Sequence, residues 1–245
     1  MRAETNTTIE RRFYTKLILL VYLCWVVAYV GVGFYASTLP PHNLTTIIDQ
    51  NLPLVPEFIW IYMACYALPL LSIILVMDWH RFNRMVLSFT IANLSAFIVY
   101  FVFPVTFQKP ELGRSVAERF LSIHYATPLS GSNNFPSMHV TFAWLYYFMC
   151  RRQRLRKIGD TVMLALVVLI TVSTLFVKMH LTADAAVGIL WAFVSVGLAK
   201  YIYPLWVDSQ AVASVAFRQM AIRMIPGALM FGIVLLLLGL LAVWG

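Results

Sequence analysis

The sequence predicts an all-α fold, a polytopic membrane helical bundle, and three observations carry that reading. Apolar residues make up 61% of the 245-residue chain and charged residues only 11%, whereas roughly a quarter of an ordinary soluble domain is charged. The apolar residues gather into sustained runs, several of them near the ~20 residues needed to cross a hydrocarbon core. Lys and Arg then fall in alternate loops, the pattern produced when positive charge is retained on the cytoplasmic side. One integral membrane domain, residues 1–245, is expected.

Seven apolar spans are read at 17–37, 58–77, 86–104, 138–150, 161–179, 183–203 and 225–244, which is a six-span core plus one additional C-terminal span. The fourth is short. The N-terminal segment with Arg11-Arg12 resembles a signal peptide, but its apolar run is too long and lacks a cleavage site, so it reads as a retained first span. Arg2, Arg11, Arg12 and Lys16 precede that span, and the loop 38–57 has no basic residue. Arg81 and Arg84 lie in 78–85, a dense basic cluster (Arg151, Arg152, Arg154, Arg156, Lys157) in 151–160, and Arg218 and Arg223 follow the sixth span. This places the N-terminus in the cytoplasm and the C-terminus outside. The compact loops suit a bacterial inner membrane. The formal charge of +8 is accounted for by topology and anionic lipid headgroups, not by nucleic acid. Cys24, Cys65 and Cys150 lie in apolar runs without metal or redox spacing. The Pro- and Asn-rich loop 38–57 is expected to form a short surface element.

One long segment, 105–137, breaks the alternation: it falls on the outer side yet carries Lys109, Arg114 and Arg119. It ends in Gly131-Ser132-Asn133-Asn134-Phe135-Pro136-Ser137-Met138-His139, directly before the fourth span. Between the fifth and sixth spans stands Lys178-Met179-His180-Leu181-Thr182-Ala183-Asp184. The topology brings both stretches to one membrane face. His180 and Asp184 are four apart, which on a helix stacks them so that the carboxylate orients the imidazole. Ionisable groups at membrane depth are costly and point to function. Two histidines, a carboxylate and several cations suit phosphoryl transfer. One histidine attacks phosphorus, the other protonates the leaving oxygen, and Lys and Arg neutralise the equatorial oxygens. Ser137 and nearby backbone N–H groups are further donors. The scheme needs no metal and no cofactor.

The pattern Pro136-Ser137-x-His139 followed by His180-x-x-x-Asp184 resembles the type 2 phosphatidic acid phosphatase superfamily over roughly residues 100–200. Met138 stands where that family usually has Gly, and Ser173-Thr174 where it has Ser-Arg. Lys109 and Arg114 are spaced more closely than its first motif, and no Pro follows. These departures are similar to the branch of inositol phosphorylceramide synthases. The resemblance implies a catalytic core at about 86–203, with the span 225–244 outside it. It also implies His180 as nucleophile, Asp184 as its partner and His139 as general acid, with Arg114, Lys178 and Lys109 binding phosphate.

Three functions are carried forward. The first is hydrolysis of a phospholipid or polyprenyl phosphate at the outer face. The second is transfer of a phosphate headgroup to an alcohol acceptor. The third, an anion or lipid transporter, is disfavoured because no inverted repeat is visible. His80 reads as interfacial, and His42 and His124 lack catalytic company. Asp49 and Glu57 read as solvated loop acids. Trp25, Trp60, Trp144 and Trp191 read as packing residues.

Overall fold

The computed structural model describes residues 16, 19–20, 23–68, 79–126, 132–151 and 157–209. The expected span 225–244 lies outside the described residues, as does the second half of the expected span 58–77. The helices are α1 (Leu23–Ala36), α2 (Ile47–Asn51), α3 (Ile59–Met63), α4 (Trp79–Val102), α5 (Val116–Ala126), α6 (Met138–Cys150), α7 (Lys157–Phe176) and α8 (Thr182–Ser209). Short 3-10 turns, Pro56–Phe58 and Ala64–Ala67, flank α3. Among the described residues there is no strand; extended loop backbone meets only at the bridges His42–Val105 and Val105–Asn133.

Three helices are long and apolar enough to cross a membrane: Arg81–Val102, Lys157–Phe176 and Thr182–Leu205. Each shows large apolar side chains on its outer face, among them Ile98, Val102, Val162, Leu190 and Phe193. Apolar faces of this extent are a liability in water and fit lipid contact. The expected span 161–179 is displaced: α7 begins at Lys157 and stops at Phe176. The chain turns there because Lys178 takes φ 50°, a left-handed backbone in which α-helix cannot continue. The N–H of Lys178 bonds to Leu175 O at 3.1 Å and that of Met179 to Thr174 O at 3.0 Å, which is a Schellman end with lysine in the place glycine usually takes.

Helix α6 is the centre of the bundle. Thirteen residues rise only ~20 Å, short of the ~30 Å hydrocarbon thickness. The polar segment before it therefore enters the protein, and its backbone must be satisfied internally. Ser132, Asn133 and Asn134 are buried. Val105 N–H donates to Ser132 O at 3.0 Å, Asn134 Nδ2 to Val105 O at 3.1 Å, and Tyr100 OH to Pro136 O at 2.8 Å. Side chains from α1, α4, α6, α7 and α8 form the main core, including Val32, Ala96, Tyr100, Leu145, Ile170 and Ala192. A smaller core (Ile59, Tyr62, Ala117, Leu121, Val177 and Met179) joins α3 and α5 to the turn after α7. The start of α6 and the start of α8 lie where these two cores meet.

The loop 38–57 does contain the expected short element, α2, closed by a capping box between Thr46 and Asp49. The long segment 105–137 holds a helix the sequence reading did not anticipate, α5. It is started by a second capping box, with Glu118 N–H donating to Ser115 Oγ at 3.2 Å and Ser115 N–H to Glu118 Oε2 at 2.9 Å.

Helices α6 and α8 approach closely at Gly188. A Cβ added there would lie 2.8 Å from the Ser137 carbonyl oxygen, and backbone cannot yield as a side chain does. Thr141 Oγ1 also donates to Gly188 O at 3.1 Å. Gly188→Ala is therefore expected to pry the two helices apart, destabilising the protein by about 1–3 kcal/mol. A thermal unfolding scan in detergent checks this, and an unchanged midpoint contradicts it.

Candidate active site

His139 occupies the first turn of α6. Ser137 caps that helix, its Oγ accepting from Val140 N–H at 3.3 Å. His180 precedes α8, and Asp184 lies in the first turn of α8 with its carboxylate fully buried. Asp184 Oδ2 accepts from Leu181 N–H at 2.9 Å, which satisfies one of the helix-start donors that would otherwise have no partner. The Asp184 backbone carbonyl accepts from Ser137 N–H at 3.1 Å. One residue thus fixes the beginning of α8, faces His180 and ties α8 to the turn that carries His139.

The carboxylate and the two rings lie in a row. His180 Nδ1 lies 3.5 Å from Asp184 Oδ2, and His180 Nε2 lies 3.3 Å from His139 Nδ1. On the far side, His139 Nε2 meets Tyr62 OH at 2.6 Å and Tyr66 OH at 2.8 Å. With the proton of a neutral His139 on Nδ1, facing His180, the tyrosine hydroxyls donate to its Nε2. A proton on His180 Nδ1 faces Asp184, which leaves the lone pair of His180 Nε2 directed at His139. A hydroxyl can also accept, so the same tyrosines can serve a doubly protonated His139.

The cations are distributed around this line. Lys178 Nζ donates to the Asp49 backbone oxygen at 2.7 Å. Lys109 lies over the Tyr125 ring, 4.9 Å from its centroid, a cation–π arrangement. Tyr125 OH in turn donates to Val177 O at 2.7 Å, so Lys109 is linked through Tyr125 to the turn that carries Lys178 and His180. Burial lowers the Lys109 ammonium to about 8. Arg114 is exposed in the turn that precedes α5. Among the described residues, no hydrogen bond or ion pair joins it to the histidines. Ser137 is fully buried, and its role visible here is capping α6. Met138 is buried in the main core, so the residue replacing glycine is accommodated by packing.

Three residues were missed or misread in the sequence. Tyr62 and Tyr66 gave no signal; their i, i+4 spacing on an irregular helix is meaningful only once His139 is beside them. Asp49 is not the solvated loop acid expected. It is 7% exposed, and its Oδ1 accepts from Thr182 N–H at 2.7 Å, capping α8 from a distant loop. Burial pushes its carboxyl up, but hydrogen bonds from Thr46 and Thr182 outweigh this and hold it below its ordinary value. Glu57 is exposed, as expected. His42 stacks on Phe103, and His124 Nδ1 lies 3.1 Å from Phe120 O. Trp144 Nε1 donates to Thr171 Oγ1 at 2.9 Å and Trp191 Nε1 to Ser95 Oγ at 2.9 Å, both packing contacts. Among the described residues, no group of three His, Cys, Asp or Glu side chains is arranged to hold a metal ion.

An all-helical protein with membrane-length helices and a buried carboxylate–imidazole–imidazole line belongs to a narrow class. A protein-family model described as the PAP2 superfamily matches residues 43–198, more than half of the chain, and the protein belongs to that superfamily. Its members are phosphatases and phosphotransferases. No curated protein and no solved structure matches the chain. The matched region begins well before residue 100, where the motif resemblance started, and so takes in Asp49, Tyr62 and Tyr66.

Two hydroxyls share one nitrogen of His139, so each single loss leaves a partner in place. Tyr62→Phe and Tyr66→Phe are each expected to lower turnover by less than about threefold, and the double substitution by about tenfold or more, because a buried nitrogen then lacks any partner. Additive losses in a double-mutant cycle contradict this arrangement.

Proposed function

We propose that the protein is a membrane phosphatase that cleaves the phosphomonoester of a phospholipid or polyprenyl phosphate at the outer membrane face, through a phosphohistidine and without a metal ion. The observation that carries this reading is the 3.3 Å approach of His180 Nε2 to His139 Nδ1 with Asp184 behind it. In the first step the His180 Nε2 lone pair forms a bond to phosphorus, the bond from phosphorus to the lipid oxygen breaks, and one proton of a doubly protonated His139 passes to that oxygen, leaving His139 neutral. Asp184, whose Oδ2 lies 3.5 Å from His180 Nδ1, stabilises the positive imidazole that results. In the second step water, giving its proton to His139, attacks phosphorus and releases phosphate from His180. Lys109, Lys178 and Arg114 are assigned to the phosphate oxygens, and Ser137 supports the turn around them.

The geometry sets a condition on this step. A phosphoryl group between the two nitrogens needs more than about 6 Å, since a near-attack approach of ~3 Å to phosphorus and a hydrogen bond of ~3 Å to the leaving oxygen are separated by the bond between those atoms. At 3.3 Å the pair is closed, so one ring must swing aside as substrate enters. Loss of the direct contact between the two histidines is thus part of substrate binding.

A second reading keeps the first step and lets an alcohol take the place of water, as in inositol phosphorylceramide synthases. It is favoured by Met138 in the place of Gly and by Lys178, which stands two residues before His180 where the usual Ser-Arg arginine is missing. Phosphate release from a panel of lipid phosphates, in EDTA, separates the two. Hydrolysis by the wild type that falls about a thousandfold or more in His180→Ala supports the phosphatase. Release seen only when an alcohol acceptor is added supports the transferase, and equal release from both proteins contradicts both.

The pH dependence follows from Lys109. Its proton is lost as pH rises through about 8, so a phosphate ligand held by it is bound more weakly above that pH. KM for the lipid phosphate is expected to climb above about pH 8 in the wild type. The climb is expected to move to higher pH in Lys109→Arg, because guanidinium stays charged. Identical profiles for the two proteins remove Lys109 from the phosphate site.

A further inference from the structure

At the other end of the bundle, away from His139 and His180, four basic side chains from three helices line one cavity. Arg81 and Arg84 come from the start of α4, Arg151 follows the last residue of α6, and Lys200 stands on α8. The cavity has a volume of about 530 Å³, in the range of ~300–1,000 Å³ usual for ligand sites. Its other wall is apolar, made by Phe148, Met149, Phe193 and Val196 with Gly197 between them. Phe193 is 65% exposed, and a Cβ at Gly197 would meet nothing within 4 Å. The apolar wall therefore opens sideways, onto the surface where lipid chains would lie. None of the described lining residues is acidic.

Retention of positive charge on one membrane face explains why arginine and lysine are found at this end. It does not explain why they converge from three helices on one ligand-sized space, nor why Lys200 sits well inside α8, with residues of that helix still to come up to Ser209. Arg151 also faces the Tyr147 ring, 5.8 Å from its centroid, which holds the guanidinium at the cavity. Arginine suits planar recognition of phosphate oxygens, and lysine adds a point charge.

We propose that this cavity binds an anionic phosphate-bearing amphiphile, with the phosphate against Arg81, Arg84, Arg151 and Lys200 and the apolar chain along Phe148 and Phe193. The 16 residues from Asp184 to Lys200 put it ~24 Å along α8 from the catalytic carboxylate. It is a second site, independent of the reaction assigned to the histidines. The phosphate could come from a membrane lipid or from a soluble phosphate ester, since both carry the same recognition chemistry.

The test uses the full chain purified in neutral detergent, titrated with short-chain phosphatidylglycerol, with phosphatidylcholine of the same chain length, and with glycerol phosphate. The readout is the thermal unfolding midpoint against ligand concentration. Two variants accompany the wild type: Arg84→Gln with Lys200→Gln, which removes charge, and Gly197→Phe, which fills the space and keeps every charge. Phosphatidylglycerol is expected to raise the midpoint where phosphatidylcholine does not, and each variant to weaken its binding by about tenfold or more. Equal binding of glycerol phosphate, lost in the charge variant alone, keeps the anion site and assigns it to a soluble ester. Equal response to the zwitterionic lipid, or undiminished affinity in both variants, overturns the proposal.

Discussion

Asp184 carries a carboxylate with no exposure to solvent at the first turn of a membrane-length helix. A buried charge is tolerated only when it is paired and hydrogen-bonded. Here Leu181 N–H donates to Oδ2, the His180 ring lies 3.5 Å from the same oxygen and the positive end of the helix dipole faces the group, while among the described residues Oδ1 has no hydrogen-bond partner. Its backbone oxygen then holds Ser137 N–H, and Ser137 caps the helix that bears His139. The relative position of the two histidines is therefore a consequence of how one acid is satisfied. Gly188 completes the constraint by letting α6 and α8 come close enough for that contact.

Much of the helical framework could be read in the chain because a membrane imposes simple rules on apolar runs and on positive loops. The run read as a fourth span is a helix at the expected residues but too short to count as membrane-length, and the fifth and sixth shifted by only a few residues. The His180–Asp184 pairing was legible because it is local, although His180 stands in the turn before α8 and not on the helix as the four-residue spacing suggested. The contact between His139 and His180 could be expected only from topology and motif resemblance. Tyr62 and Tyr66 were not legible: they reach His139 across 77 and 73 residues, and no local pattern encodes that meeting. Asp49 was misread for the same reason, since a loop acid is ordinarily solvated and its partner Thr182 is 133 residues away. Helix α5, by contrast, had a visible signal in Ser115-x-x-Glu118, which was passed over in favour of the loop's charges.

The site lies at the junction of two cores. The main core belongs to the bundle, and the small core under α3, α5 and the turn after α7 reaches His139 through Tyr62. Loop and turn elements are pinned to this junction by Lys178 to Asp49, by Asp49 to Thr182 and by Tyr125 to Val177. Such cross-links orient imidazoles more firmly than a flexible loop could, and orientation is the larger part of what a phosphoryl-transfer site requires. The left-handed Lys178 shows that this turn holds a strained backbone.

The most direct test of the account is to look for the covalent intermediate itself. The protein would be mixed with a lipid phosphate, quenched within milliseconds under alkaline conditions that preserve phosphohistidine, digested and sequenced by mass spectrometry. The account predicts phosphate on His180, absent from His180→Ala and accumulating in His139→Ala when the substrate has a good leaving group. Turnover in the wild type with no phosphate on His180 at any quench time, or phosphate on a different residue, would contradict it.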